Sequence, residues 1–132
     1  MGVIHEIVFD CDKPPVLARF WAQILDGYDV RPYDQEELAR LRALGLTPET
    51  DTTVMVDGPG PTLCFQNVDG RVTENNRVHF DIEVSDRGAE VERLVGAGAS
   101  VDRVLPTYTV MRDPEGNQFC LVDAEIETMV AA

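Results

Sequence analysis

The side chains best suited to chemistry in this chain come in two matched sets. His5 stands seven positions before Asp12 and His79 seven before Asp86, while Asp57, Gly60 and Cys64 are spaced as Asp113, Gly116 and Cys120 are. A doubled pattern of this kind implies two related modules, whose equivalent residues come together at one shared site. His5 and His79 are the chain's only histidines. With an ordinary pKa near neutrality they are the candidate general acid or base, and hence the candidate catalytic residues. Together with the thiols of Cys64 and Cys120 they also make a nitrogen and sulfur donor set that tetrahedral zinc takes, so His5, Cys64, His79 and Cys120 are the candidate metal ligands. Against a metal, these four lack the close spacing of recognisable zinc motifs, and buried cysteines commonly act as small hydrophobes. The expected state is therefore without a cofactor, with zinc the ion favoured were a divalent metal bound.

The elements that must position these residues can be read from periodicity. Val78, Phe80, Ile82 and Val84 alternate with His79, Asp81, Glu83 and Ser85, which marks a strand with His79, Asp81 and Glu83 on its polar side. By the same parity Gln66 shares a face with Cys64, Gln118 with Cys120, and Tyr108 with Arg112. Gln66, Asp81, Gln118 and Tyr108 are therefore the candidate ligand-binding residues. Arg31 and Tyr33, with Tyr28, are further groups able to meet an anionic or aromatic ligand.

A first strand is expected over 3–10, followed by a helix capped by Asp12, opened by Pro14 and closed near Gly27. Its apolar positions, Leu17, Phe20, Trp21, Ile24 and Leu25 among them, form one broad stripe, which places Trp21 in the core. Tyr28 to Pro32 reads as a short strand, and Asp34-Gln35-Glu36-Glu37 begins a small inserted helix. Strands follow at 52–56 and 62–68, joined by Asp57-Gly58-Pro59-Gly60-Pro61. After the polar connection Asp69 to Asn76, the second module repeats the order: strand, a helix capped by Asp86, then strands at 100–104, 107–112 and 118–123. The sequence thus predicts βαβββ twice, module one over 3–68 and module two over 77–123 of a single domain spanning 1–124, with a tail at 125–132.

Bulk composition narrows the function. At 132 residues, with 44% hydrophobic and 27% charged residues, the chain has ordinary globular composition, and no apolar run approaches the roughly 20 residues a membrane helix needs. A net charge of −13 repels phosphate backbones and anionic lipid, which argues against nucleic acid and membrane surfaces as partners. Three cysteines and no evident leader fit the cytoplasm.

Asp12 before Leu17-Ala18-Arg19-Phe20-Trp21, then Val78-His79-Phe80-Asp81-Ile82 before Asp86, and finally Asp113-Pro114-Glu115-Gly116-Asn117-Gln118-Phe119 resemble the glyoxalase/bleomycin-resistance/extradiol-dioxygenase group, the vicinal oxygen chelate superfamily, in its glyoxalase-like branch. The resemblance spans about residues 3 to 123. It implies an α+β fold in which two βαβββ modules form a curled-sheet cleft, a homodimer, and a divalent metal held by one residue from the first and one from the last strand of each module. Those places fall on His5, Cys64, His79 and Cys120. Metal-using members carry glutamate at the last-strand places, where this chain has cysteine, and glyoxalase I needs such a glutamate to move a proton. The reading is a small-molecule binder of the bleomycin-resistance kind, without glyoxalase I chemistry, that takes a metabolite or drug-like ligand between its modules. The alternative is a lyase, isomerase or dioxygenase-like enzyme using His5 and His79.

Overall fold

In module one the chain order is β1 (Glu6–Cys11), α1 (Pro14–Ile24), β2 (Asp29–Val30), α2 (Gln35–Ala43), β3 (Thr53–Asp57) and β4 (Thr62–Asn67). Module two runs β5 (Phe80–Val84), α3 (Arg87–Gly96), β6 (Ser100–Val104), β7 (Tyr108–Arg112) and β8 (Gln118–Asp123). The computed structural model describes residues 4–68 and 78–124; the expected connection at 69–76 falls outside them, as does the tail at 125–132. The chain divides into two compact units, Met1–Arg71 and Val72–Ala132. Among the described residues no helix is long and apolar enough to cross a membrane.

Each unit holds one four-stranded sheet, ordered β1-β4-β3-β2 in module one and β5-β8-β7-β6 in module two. The first strand pairs parallel with the last, and the remaining ladders are antiparallel. The α+β βαβββ modules are therefore present, with α2 as the insertion in module one. The expected curling is not. Each sheet is open, with β1 and β2 as the edges of one and β5 and β6 as the edges of the other. The physical reason is strand number and edge length: four strands are few to close a sheet, and β2 offers only two residues as an edge.

Alternation decides which side of each sheet meets a helix. In module one Phe9, Leu63, Phe65, Val54 and Val56 share the face packed by α1. There the Phe9 ring stacks on Phe65 at 4.7 Å and lies 5.6 Å from Trp21. Leu17, Phe20 and Trp21 are buried, as the helical stripe requires. In module two Leu94 of α3, with Met111, Phe119 and Leu121, forms a smaller, mainly aliphatic core.

The helix starts differ by one residue from expectation in module one. Asp86 caps α3, its Oδ1 accepting from the Ala89 N–H at 3.1 Å, and Asp34 caps α2 likewise from Glu37 at 2.8 Å. For α1 the cap position is Lys13, without a side-chain cap, and not Asp12. Pro14 fixes the backbone dihedral of the first helical residue, so the residue immediately before it becomes the cap.

The β3–β4 connection is shaped by Tyr28, whose hydroxyl donates to the Pro61 carbonyl at 2.9 Å. A Cβ on Gly58 would overlap the Tyr28 ring, and one on Gly60 would lie 2.6 Å from its hydroxyl. Both positions therefore need glycine for close approach rather than for dihedral freedom.

Candidate functional site

The face of module two opposite α3 gathers most of the chemistry. The β5–β8 ladder sets Asp81 directly beside Cys120. His79 lies just before β5, with Nε2 3.3 Å from Asp81 Oδ1. One donor atom from each of His79, Asp81 and Cys120 lies within 4.8 Å of the others, and among the described residues this is the one group of three or more such side chains able to hold a metal ion. His79 and Asp81 are exposed while Cys120 is buried. Burial pushes the Cys120 thiol above its ordinary value, with the Asp81 charge and hydrogen bond acting in the same direction and Arg103 against it. Gln118, paired in register with Arg112, and Tyr108, opposite Val122, lie on this same face by alternation.

Module one places its equivalents differently. Cys64 is flanked in register by Val8 and Met55, two apolar residues. Its thiol is also pushed up by burial, then by Glu6, with Arg31 opposing. Gln66 shares the Cys64 face and donates through Nε2 to Asp10 Oδ1 at 3.0 Å. His5 lies before β1 and is exposed.

Ladder register shows why. Val8 beside Cys64 is the counterpart of Asp81 beside Cys120, just as the α1 cap Lys13 is the counterpart of Asp86. Counting back from either, His79 answers to Glu6, and His5 falls one residue short of equivalence. A one-residue step along a strand is a change of face, so the equal spacing of His5–Asp12 and His79–Asp86 does not give equal placement. Thus the structure brings His79, Cys120 and Asp81 together, with Gln118 and Tyr108 on their face. At Cys64 the neighbouring charges that act on the thiol are those of Glu6 and Arg31. Glu6 carried no signal in the sequence except its position eight residues before Pro14, which only the cap at Lys13 makes meaningful.

A second set of charged groups sits beside β3 of module one, where β2 ends. Arg31 makes a two-point ion pair with Asp57, Nε to Oδ2 at 2.7 Å and Nη2 to Oδ1 at 2.8 Å, and Thr62 adds a hydrogen bond to the same carboxylate. Asp57 is held below its ordinary value by Arg31, and Arg31 is raised in return. Asp51, which the sequence reading passed over, is 4% exposed and accepts from the Tyr33 hydroxyl at 2.8 Å. Its other oxygen takes the Thr53 N–H at 3.1 Å, a local turn that Asp-Thr-Thr in the sequence is suited to make.

Two open sheets, each with a parallel first-to-last strand pair and one crossover helix, define the paired βαβββ class of the vicinal oxygen chelate superfamily. Within that class, the chain belongs to the glyoxalase-like domain family, whose model matches residues 6–122. No curated protein matches it in sequence. Solved structures with the same fold include the fosfomycin resistance protein FosX from Mesorhizobium loti, with TM-score 0.67 at 11% identity, covering 100% of this chain and 99% of that one. A glyoxalase-related enzyme from Fulvimarina pelagi gives TM-score 0.64 at 13% identity over 96% and 91% of the two chains. The trypanothione-dependent glyoxalase I of Leishmania major gives 0.63 at 15% identity over 99% and 93%. At such identities the likeness concerns the fold.

Proposed function

We propose that this chain binds a small polar metabolite or drug-like molecule and does not perform glyoxalase I chemistry. The observation that carries the reading is the face of module two opposite α3. There Asp81, Gln118 and Tyr108 offer hydrogen-bonding groups beside exposed His79, all projected from one hydrogen-bonded sheet. The last-strand positions hold Cys64 and Cys120, whose thiols are buried and raised, so neither supplies the carboxylate that glyoxalase I uses to move a proton. A thermal-shift screen of metabolites and antibiotics, fosfomycin and bleomycin among them, tests the reading. A stabilising compound should lose affinity on Asp81→Asn and His79→Ala, with the fold kept. Absence of any such compound, or one indifferent to both substitutions, would count against it.

A second reading, a metal-using enzyme, is favoured by the gathering of His79, Asp81 and Cys120. Nitrogen, oxygen and sulfur at this separation fit zinc, with a fourth place open to water or substrate. The ion would have to displace the proton of a thiol whose pKa is already raised. Metal analysis after purification without chelators or metal affinity resin separates the readings. A binder should carry less than stoichiometric metal and melt unchanged in EDTA, whereas an enzyme of the second kind should melt lower in EDTA and recover with zinc.

The same proposal takes the chain as a cytoplasmic homodimer. β6 is an edge strand exposed along its whole length, the kind of edge that self-association covers. Sedimentation at micromolar concentration should then report twice the chain mass.

A further inference from the structure

The insertion that distinguishes module one builds a cavity of its own. It has a volume of about 340 Å³ and lies along β3 where β2 has ended, walled by the chain entering α2 and by α2 itself. Its lining includes Arg31, Tyr33, Glu37, Arg40, Asp51 and Met55.

The charges on this lining are mixed and separately anchored. Asp51 is 4% exposed and fixed by the Tyr33 hydroxyl and the Thr53 N–H, which together occupy two of the roughly four acceptor sites of a carboxylate. Arg31 is tied to Asp57 through Nε and Nη2, and Nη1 has no partner among the described residues. Arg40 is tied to Glu37 by Nη2 alone, at 3.0 Å. Each guanidinium is thus oriented by one carboxylate and keeps N–H groups for a ligand, while Asp51 keeps acceptor capacity. An anion alone would meet Glu37 and Asp51 without compensation, in a chain of net charge −13. A cation alone would leave the remaining guanidinium N–H groups without acceptors as it displaced their water. A molecule carrying both charges answers both sets. The Tyr33 ring and Met55, with Pro32 and Val54, add apolar lining suited to an aliphatic side chain. We propose that this cavity is a binding site for a small zwitterion of the α-amino acid type, its ammonium group at Asp51 and its carboxylate at the guanidiniums of Arg31 and Arg40.

Three probes test it by two-dimensional amide NMR of the whole chain: L-leucine, L-leucine amide, which keeps only the cation, and N-acetyl-L-leucine, which keeps only the anion. L-Leucine should shift the amide signals of residues 31, 33, 34 and 51–55 saturably, and each capped probe should bind at least ten-fold more weakly. Asp51→Asn, which keeps an acceptor for Tyr33, should weaken L-leucine binding ten-fold or more. If Asp51→Asn disturbs the fold, Arg40→Gln serves instead, since the Arg40 side chain is 53% exposed and its loss should leave the spectrum otherwise intact. Equal binding of a capped probe, no saturable shift at millimolar L-leucine, or shifts confined to module two would overturn the proposal. Because the site lies in module one and its readout in residues 31–55, its failure would leave the proposed ligand face of module two standing.

Discussion

The two modules share a topology and solve the same local problems with different residues. At the first turn of the crossover helix, module one has uncapped Lys13 followed by Pro14, and module two has the capping Asp86 followed by Arg87. Pro14 rigidifies the start of α1 and has no donor to give. Arg87 instead reaches across its module: Nε and Nη2 bind Asp123, Nη1 binds the Leu105 carbonyl and the Thr109 hydroxyl, and Nη2 also meets the Pro106 carbonyl. The turn before the last strand differs as well. In module two the buried Asp113 organises it, taking the N–H groups of Glu115 and Asn117 at 2.9 Å each and the Asn117 amide at 2.9 Å. In module one the corresponding Asp57 is turned to Arg31 and Thr62, and Tyr28 fills the space left by Gly58 and Gly60. Module one therefore adds aromatic packing to its Arg31–Asp57 pair, whereas module two relies at these points on the hydrogen bonds of Arg87 and Asp113. Two modules with the same ladders can thus be fastened by different residues.

This contrast can be broken at its strongest point first. Trp21→Ala removes the largest fully buried side chain of module one and should destabilise it by about 3–5 kcal/mol in a denaturant titration. Amide exchange should locate the loss in residues 4–68. The complementary change, Arg87→Met, strips module two of its clamp and leaves Asp123 and two carbonyls seeking partners. The expected cost is about 2 kcal/mol, with protection lost in β7 and β8. A larger effect from Arg87 than from Trp21 would reverse the comparison.

Cap exchange sharpens it. Asp86→Ala should cost about 1 kcal/mol, whereas Lys13→Asp should stabilise α1 by a fraction of that, because it supplies the acceptor that the present cap lacks. Thermal melting of the two variants should move in opposite directions.

The smallest effects concern pH. Cys64 and Cys120 are both raised above the ordinary thiol value of 9.0 by burial, so the folded chain keeps these protons where the unfolded chain has lost them. Their contribution is intact below pH 9 and declines as pH rises beyond it, and the double variant Cys64→Ala, Cys120→Ala should flatten that alkaline decline. Alkylation by iodoacetamide at pH 7 should be slow at both. On the acid side, Asp57 is lowered from 3.8 by Arg31, so its contribution is present above that pH and fades as pH falls through the lower folded value. Both partners are about half exposed, which makes the effect weak and salt-sensitive.

The sequence by itself determined the two βαβββ modules, the inserted helix, the core position of Trp21 and the polar face of β5. Period-two alternation, proline and the capping residues are local signals, and the physics behind them acts over a few residues. Parity within single strands was legible for that reason: Asp81 with His79, Gln118 with Cys120, and Tyr108 with Arg112. What only the tertiary structure decided was register across strands. The spacing from His5 to Asp12 copies that from His79 to Asp86, yet the helix starts at Pro14 and the ladder sets Val8 against Cys64, so Glu6 takes the place matching His79. Asp51 and the cavity beside α2 were equally out of reach, since they depend on where a two-residue strand ends and an inserted helix returns. Hydrogen bonding between distant strands fixes such alignments to a single residue, and no local signal carries that information.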